Sequence, residues 1–510
     1  MNNNRLFKII RRIGWPALYA LAAAVFVAYE TASQWGIAVS YDSMVYLERA
    51  NEIFNHGPRL LFRSFSIEQP PFYPVLLSLG IPFFGGELTT WATILNIAFA
   101  ACTMFLVWEI AERNCKSPLY AHLAAVSCLF SRPLLNMVWF YVWTEPAFIV
   151  LALVALTFCV KDNPSHLELG SAATAIILAC ATRYTGVVLI LIAAIASFRT
   201  QSGRRATLKR LFATVVVPSL CFALYALRNH RYSGTYLGPR HKAIATLADN
   251  LGYVKENVLD WFGAAAGWNG VILLAVFATI AVIGAICLFR KVNFSKRTSV
   301  VPREIWIHVL FAAVYIAFVV ITSTTTAYQK IGQRLLAPAF PSTIIVFFYC
   351  MNRCSSALSR RGAAVFSAVL VMAFLPVAYA EFGTMKSLRA HGMGLRSEAY
   401  SDEDMKSFLA PFANKGHAIF SPDDRFFKDA VLHGRQLPRT THYQSDEKTG
   451  LTPENILERI PEMDGALLIL RTDAIPDGFV NLFDSRFPGE IERLSCFRTG
   501  CVWEIRKRKA

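Results

Sequence analysis

The sequence lacks several features that would place it in a soluble or fibrous class. It has no CxxC pair and no Cys/His spacing of the kind that binds zinc. It also has no internal repeat, heptad run or low-complexity tract, which argues against solenoids, coiled coils and disordered linkers. Only 17% of the 510 residues are charged, whereas 55% are apolar and the mean hydropathy is +0.40. This composition is typical of a polytopic membrane protein.

The first apolar run, residues 15–32, has no cleavage pattern of a signal peptide. We therefore expect it to be retained as the first membrane span. Four basic residues precede it, so the positive-inside rule predicts a cytoplasmic N-terminus. They are Arg5, Lys8, Arg11 and Arg12.

The sequence also lacks a soluble region with an excess of basic residues. The net charge is +16, but residues 381–510 carry 19 Lys/Arg against 20 Asp/Glu. Residues 1–380 carry 32 Lys/Arg against 15 Asp/Glu, so the whole excess belongs to the apolar part. Nucleic-acid binding would require a basic soluble surface. The distribution instead fits the positive-inside rule and predicts no nucleic-acid partner.

Apolar runs separated by Lys/Arg clusters predict about eleven spans between residues 1 and 380, with a first outer loop at 34–70. The third span is predicted at 120–135, the eighth at 271–289 and the eleventh at 363–380. Residues 381–510 alternate short strand and helix patterns. We therefore predict an α-helical polytopic protein of the inner membrane with a small C-terminal α/β domain in the periplasm.

Two of the eleven cysteines stand apart from the rest. Nine lie in or beside apolar runs and suit the role of small hydrophobic residues. Cys496 and Cys501 instead bracket the turn of a predicted terminal hairpin, where an oxidising compartment would join them in a disulfide.

The first outer loop holds four carboxylates. Asp42 comes directly after the first span, beside Tyr41 and Tyr46. A helix N-cap is the ordinary role of such an aspartate. A carboxylate held next to hydrocarbon is also a functional candidate, and it can act as a general base. The four acids are Asp42, Glu48, Glu52 and Glu68.

A further carboxylate, Glu145, lies in the next outer loop at the head of the fourth span. Its ordinary role is also a cap, because Pro146 follows at the first helical position. A second acid on the same side suits the orientation of an acceptor, or the binding of a divalent cation. The sequence does not identify a metal.

Five arginines on the predicted outer side depart from the positive-inside trend. Snorkelling towards lipid headgroups explains any one of them. As a set on the side of the carboxylates, they suit recognition of a phosphate or diphosphate at membrane depth. Nearby aromatic residues suit either a sugar-stacking surface or the interface belt, Tyr73, Trp143 and Tyr184 among them. The arginines are Arg183, Arg228, Arg231, Arg240 and Arg334.

Six segments occur in a characteristic order: YDSMVYLERA, EQPPFYPVLLSLG, WTEPAFIVLAL, ATRYTG, RNHRYSGTYLGPR and GQRLLAPAFP. With them, the chain resembles the GT-C superfamily of integral-membrane glycosyltransferases. It is most similar to the bacterial branch that includes the protein-mannosyltransferase-like (family 39) and aminoarabinose-transferase-like enzymes. The resemblance covers essentially the whole chain.

The resemblance implies a hexosyl- or pentosyltransferase that takes its sugar from a polyprenyl-phosphate donor on the periplasmic side. Asp42 then matches the catalytic acid of the first loop, and Glu145 matches the acid of the second loop. Arg240 and Arg334 are implied to lie near the lipid phosphate. The implied partners are the lipid-linked donor, membrane lipids and an acceptor that is a glycan, a lipid or a protein.

One position departs from the aminoarabinose-type pattern. Those enzymes have a lysine before the proline pair, where it meets the donor phosphate, whereas this chain has Gln69. Either Arg63 or Arg183 supplies the missing cation, or the donor is bound differently. Glu68 and Tyr184 complete the predicted substrate-binding set.

Three other functions are compatible with a polytopic chain. A lipid-linked glycan flippase or transporter predicts inverted repeats and charges near the bilayer midplane. The acids here cluster at one interface and no repeat is visible, which favours an enzyme. An O-antigen-type ligase would act on diphosphate-linked glycans, and a sensor would depend on a ligand site in the C-terminal domain.

Overall fold

The computed structural model describes most of the chain up to residue 394 and several short stretches beyond it. The described ranges are 3–198, 203–262, 301–394, 396–397, 404, 407–408, 418–420, 466–471, 491–496 and 500–505, apart from gaps at 58, 61–68, 86, 116, 239–242, 244 and 327–329. The chain divides into two compact units. The first comprises residues 1–33 and 45–389, and the second comprises residues 34–44 and 390–510.

Helices make up the first unit, because a helix satisfies every backbone polar group of an apolar run within the run itself. A π-helical turn, Phe212–Val216, joins the helices Arg204–Leu211 and Val217–Ser233. Numbered in chain order, the helices are α1 (Asn3–Thr31), α2 (Tyr41–His56), α3 (Phe72–Ser78), α4 (Ile81–Phe84), α5 (Leu88–Asn114), α6 (Pro118–Leu129), α7 (Glu145–Cys159), α8 (His166–Thr182), α9 (Val187–Phe198), α10 (Arg204–Leu211), α11 (Val217–Ser233), α12 (Leu247–Asp260), α13 (Arg303–Thr325), α14 (Gln333–Leu336), α15 (Phe340–Ser355) and α16 (Arg360–His391).

Within the described residues, five helices are long and apolar enough to cross a membrane. Shorter apolar helices occupy other predicted spans, including α6, α7, α8 and α9. The predicted eighth span, 271–289, lies outside the described residues. The predicted fold class, an integral membrane protein with many helices, is confirmed. Two of the five combine consecutive helices: α10 continues into α11, and α14 continues into α15. The five are Leu88–Asn114, Arg204–Ser233, Arg303–Thr325, Gln333–Ser355 and Arg360–His391.

Two helix ends differ from the sequence prediction. Helix α6 ends at Leu129 rather than near residue 135, because Pro133 has no backbone N–H to donate to the Leu129 carbonyl and its ring would clash with that carbonyl. Helix α16 continues past residue 380 to His391. Its polar residues there have partners: Asn136 Nδ2 donates to Glu381 Oε2 at 2.5 Å, and the Arg389 guanidinium lies 4.0 Å from the Tyr29 ring centre. The drop in hydropathy therefore does not end the helix.

The core of the first unit lies where α1 packs on α5, α7 on α8, and α13 on α15. Large side chains such as Trp108, Phe148 and Phe340 are almost completely buried there. The polar side chain of Asn96 in α5 is also fully buried. Its amide donates to the carbonyl oxygens of Trp139 at 2.9 Å and Tyr141 at 2.7 Å. This contact fixes the segment that leads into α7.

The described part of the second unit contains two sheets. Strands β1 (Gly392–Met393) and β2 (Arg396–Ser397) pair antiparallel. Helices predicted between the larger sheet's strands lie outside the described residues. Cys496 and Cys501 face each other in the terminal hairpin and form a disulfide. The larger sheet has the order β3-β4-β6-β5, with only β3 and β4 parallel, and its strands are β3 (Ala418–Phe420), β4 (Ala466–Arg471), β5 (Ile491–Cys496) and β6 (Gly500–Ile505).

Candidate active site

Glu145 begins helix α7 and is completely buried, with 0% of the residue exposed. Pro146 follows in the first turn, where its missing N–H costs no hydrogen bond. The carboxylate also lies at the positive end of the helix dipole. Burial alone disfavours an anion strongly, so this carboxylate requires partners that offset the loss of water.

Two guanidinium groups provide those partners. Arg183 Nη1 and Arg334 Nε both pair with Glu145 Oε1, and the Arg334 contact is 2.7 Å long. Arg183 Nη1 also donates to Thr144 Oγ1 at 2.9 Å, and that hydroxyl donates to Glu145 Oε2 at 3.3 Å. We call Glu145, Arg183 and Arg334 the Glu145 cluster.

The Glu145 cluster combines two cations with one carboxylate. Its two arginine side chains are 14% and 16% exposed, so they are largely removed from water. Both ion pairs act in a region of low dielectric constant, where electrostatic interactions are strong. Guanidinium groups bind phosphate and carboxylate oxygens through directed N–H donors. The cluster is therefore suited to an anionic ligand.

Arg183 is placed by a tight turn between α8 and α9. It follows α8 directly and precedes the 3₁₀ turn Tyr184–Gly186. A Cβ atom on Gly186 would lie 2.5 Å from the Cys180 backbone nitrogen, so only glycine allows this close return of the chain. The turn thus points the arginine away from the end of its own helix and towards Glu145.

Arg334 is placed by the short helix α14 and its neighbours. The preceding residue, Gln333, accepts a hydrogen bond from Trp261 Nε1 at 2.8 Å. Its amide nitrogen donates to the Asn257 carbonyl at 3.1 Å, which ties α14 to α12. These contacts hold the arginine's backbone at a fixed position.

An aromatic stack supports the Arg334 guanidinium. The group lies 4.2 Å from the centre of the Trp143 ring. Trp143 in turn stacks on Tyr141 at 3.9 Å with an interplanar angle of 4°. Both aromatic residues are buried, and a cation over a desolvated indole is stabilised by about 2 kcal/mol. The stack orients the plane of the guanidinium group.

The structure brings together three of the residues predicted from the sequence, namely Glu145, Arg183 and Arg334. Tyr184 lies beside Arg183, but its hydroxyl accepts a hydrogen bond from Asn229 in α11 at 3.1 Å. Gln69 is half-buried just before the proline pair. The other predicted substrate-binding residues, Arg63, Glu68 and Arg240, lie outside the described residues.

Asp42 belongs to the second unit and lies in the first turn of α2, where it is half-buried. The capping contacts of this helix are made by two serines. The Ser40 backbone nitrogen donates to Ser43 Oγ at 2.9 Å, and the Ser43 nitrogen donates to Ser40 Oγ at 3.4 Å. An N-cap role therefore does not account for Asp42.

Thr144, Asn96 and Gln333 are parts of this site that the sequence interpretation missed. A buried contact of Asn96 could have been predicted, since an amide in the middle of an apolar span requires a buried partner. Thr144 directly precedes Glu145, and Gln333 directly precedes Arg334, but no sequence pattern marks either residue as part of a site. Within the described ranges, no group of three or more His, Cys, Asp or Glu side chains is arranged to hold a metal ion.

This architecture is similar to that of solved protein structures. No protein-family model and no curated protein sequence matches the chain. Two solved structures of ArnT from Cupriavidus metallidurans do match: the apo form with a TM-score of 0.61 at 12% identity, and the form bound to undecaprenyl phosphate with 0.62 at 13%. Each match covers 96% of this chain and 98% of ArnT. The chain has the GT-C fold.

An oligosaccharyltransferase from Archaeoglobus fulgidus is also similar, with a TM-score of 0.48 at 13% identity. That match covers 86% of this chain and 62% of the archaeal protein. The fold expected from the six ordered segments is confirmed by the ArnT matches.

Proposed function

We propose that this chain is a glycosyltransferase that moves a sugar from a polyprenyl-phosphate donor to an acceptor on the periplasmic side of the inner membrane. The Glu145 cluster carries this proposal, because its two guanidinium groups and their directed N–H donors suit a phosphate at membrane depth. ArnT, which shares the fold, has been solved with undecaprenyl phosphate bound. That ligand has the chemistry that the cluster favours.

The proposed reaction is a single displacement. A nucleophile of the acceptor attacks the anomeric carbon, and the bond from that carbon to the phosphate oxygen breaks. Polyprenyl phosphate leaves with the bonding electron pair, so the anomeric configuration inverts. Asp42 accepts the proton of the nucleophile as general base. Arg183 and Arg334 stabilise the charge that grows on the leaving phosphate.

In this scheme Glu145 positions the two arginines. One of its oxygens is engaged by both guanidinium groups and the other by Thr144. A carboxylate with this many donors is a weak base, which assigns proton transfer to Asp42. Arg183 supplies the cation that aminoarabinose-type enzymes place at the position of Gln69. Arg63, Glu68 and Arg240 remain further candidates for donor binding.

The test uses purified protein in detergent micelles, which have no two sides between which a flippase could act. A synthetic undecaprenyl-phosphate sugar is mixed with an envelope extract from a strain that lacks the gene. We expect the protein to release undecaprenyl phosphate and to glycosylate a component of the extract, both measured by mass spectrometry. Transbilayer movement of the donor in vesicles, without release in micelles, would support a flippase instead.

Arg334→Lys should lower this release by about tenfold, which corresponds to ~1.4 kcal/mol. Lysine keeps the charge but loses both the directed donor to Glu145 and the planar stack on Trp143. Arg361→Lys, at an exposed position at the start of α16, is the matched control and should leave release unchanged. Equal rates for the two variants would contradict the role given to Arg334.

A further inference from the structure

A groove between α7 and α8 has no role in the reaction proposed above. It has a volume of about 490 Å³, and Gly170 and Thr174 are exposed along it. Because both helices are apolar parts of an integral membrane protein, the open side of the groove meets the hydrocarbon of the bilayer. We call it the α7–α8 groove. Its walls include Leu151 and Val154 from α7 and Gly170, Thr174 and Leu178 from α8.

Small residues of α8 leave the α7–α8 groove open. A Cβ atom added at Gly170 would meet no atom within 4 Å outside the local backbone of its own helix. Ser171 lines the groove next to it. Helix α11 differs, because its exposed positions include Leu220 and Leu224. Large apolar side chains are thus available on lipid-facing helices of this chain, and α8 has smaller ones in the middle of the groove.

The α7–α8 groove starts close to the Glu145 cluster. Glu145 is the first residue of α7, and Arg183 directly follows α8. Leu151 and Leu178 line the groove, and each lies about 7–9 Å from the charged residue of its own helix, measured along the helix axis. The two helices that form the groove therefore also carry two of the three members of the cluster.

The length of the α7–α8 groove indicates what fills it. His166, the first residue of α8, lines its far end. At the usual rise of a helix, His166 lies about 26 Å from Arg183. One leaflet contributes only about 15 Å of hydrocarbon, half of the apolar core of a bilayer. A chain that starts at the Glu145 cluster and fills the groove must therefore be longer than one leaflet. The acyl chains of a phospholipid end within their own leaflet, whereas a polyprenyl chain extends farther.

We propose that the α7–α8 groove binds the polyprenyl chain of the lipid-linked donor while the Glu145 cluster holds the phosphate. This inference rests on the proposed function, because it assigns a place to the lipid of that donor. In a membrane the chain exchanges one apolar surrounding for another, so the groove selects it by close packing rather than by removal from water. The length of the chain is thereby a determinant of donor recognition.

Gly170→Leu tests this assignment, because the new side chain fills the groove. It enters open space, and leucine favours a helix more than glycine does, so the unfolding midpoint should stay the same or rise. With an undecaprenyl-phosphate sugar in detergent, the KM for release of undecaprenyl phosphate should rise about five- to tenfold, and the maximal rate should not change. A geranyl-phosphate sugar, whose chain is too short to reach Gly170, should have the same KM with both proteins.

Gly383→Leu is the matched control. Gly383 is also a helical glycine with open space around it, but it lies in α16. The control variant should keep the wild-type KM for both donors. If it instead showed the same rise as Gly170→Leu, the effect would not belong to the α7–α8 groove, and the inference would be wrong.

The other outcomes separate this inference from the proposed function. A wild-type protein with the same KM for both donors, or a Gly170→Leu variant impaired equally with both, would overturn the inference alone. An unchanged KM in Gly170→Leu would do so as well, and native mass spectrometry would then show whether the variant has lost a bound phospholipid or a second copy of the chain. A wild-type protein that releases polyprenyl phosphate from neither donor would overturn the proposed function itself.

Discussion

Asp42→Asn is expected to lower sugar transfer by about 10²–10⁴-fold, the usual contribution of a general base. Asparagine has the same shape but cannot accept the proton of the acceptor. The capping contacts of α2 come from Ser40 and Ser43, so the substitution leaves the helix start intact. Initial rates of undecaprenyl phosphate release in detergent measure the loss, and the unfolding midpoint verifies that the protein is folded.

Glu48→Gln provides the control for Asp42, because Glu48 is an exposed acid on the same helix. It should keep the wild-type rate. Affinity for undecaprenyl phosphate should change little in Asp42→Asn, since the proposed role of Asp42 concerns the acceptor's proton. A rate within a few-fold of wild type for Asp42→Asn would rule out Asp42 as the base.

Glu145→Gln is expected to destabilise the protein by about 3–5 kcal/mol, because it leaves two largely buried guanidinium groups without their counter-charge. Sugar transfer should fall at the same time, since neither arginine keeps its orientation. Chemical or thermal unfolding in detergent measures the stability, and the release assay measures the transfer.

A double variant separates the charge effect from a packing effect. Glu145→Gln combined with Arg183→Gln removes one uncompensated cation, so it should recover part of the stability lost in Glu145→Gln. Transfer should not recover, because an arginine proposed to contact the phosphate is missing. If Glu145→Gln were as stable as the wild type, the ion pairs would not have the structural role described above.

The Glu145 cluster could be predicted only in part from the sequence. Arg183 and Arg334 were recognised because arginines on the outer side depart from the positive-inside rule. Their shared partner could not be predicted, since these residues are 38 and 189 positions away from Glu145. Only the packed arrangement of α7, α8 and α14 brings them together.

The helix ends show the same limit. The predicted end of the last span followed the drop in hydropathy after residue 380, and α16 nevertheless continues to His391. Glu381 and Arg389 are accommodated by Asn136 and Tyr29, which are distant in sequence.

The central claim is that the Glu145 cluster binds the phosphate of a lipid-linked donor. The most direct measurement is an experimental structure of the protein with undecaprenyl phosphate bound, determined in a lipid nanodisc. We predict that the phosphate oxygens lie within hydrogen-bond distance, about 2.7–3.2 Å, of Arg183 or Arg334. A phosphate bound elsewhere, with the Glu145 cluster making no contact to the lipid, would contradict the account.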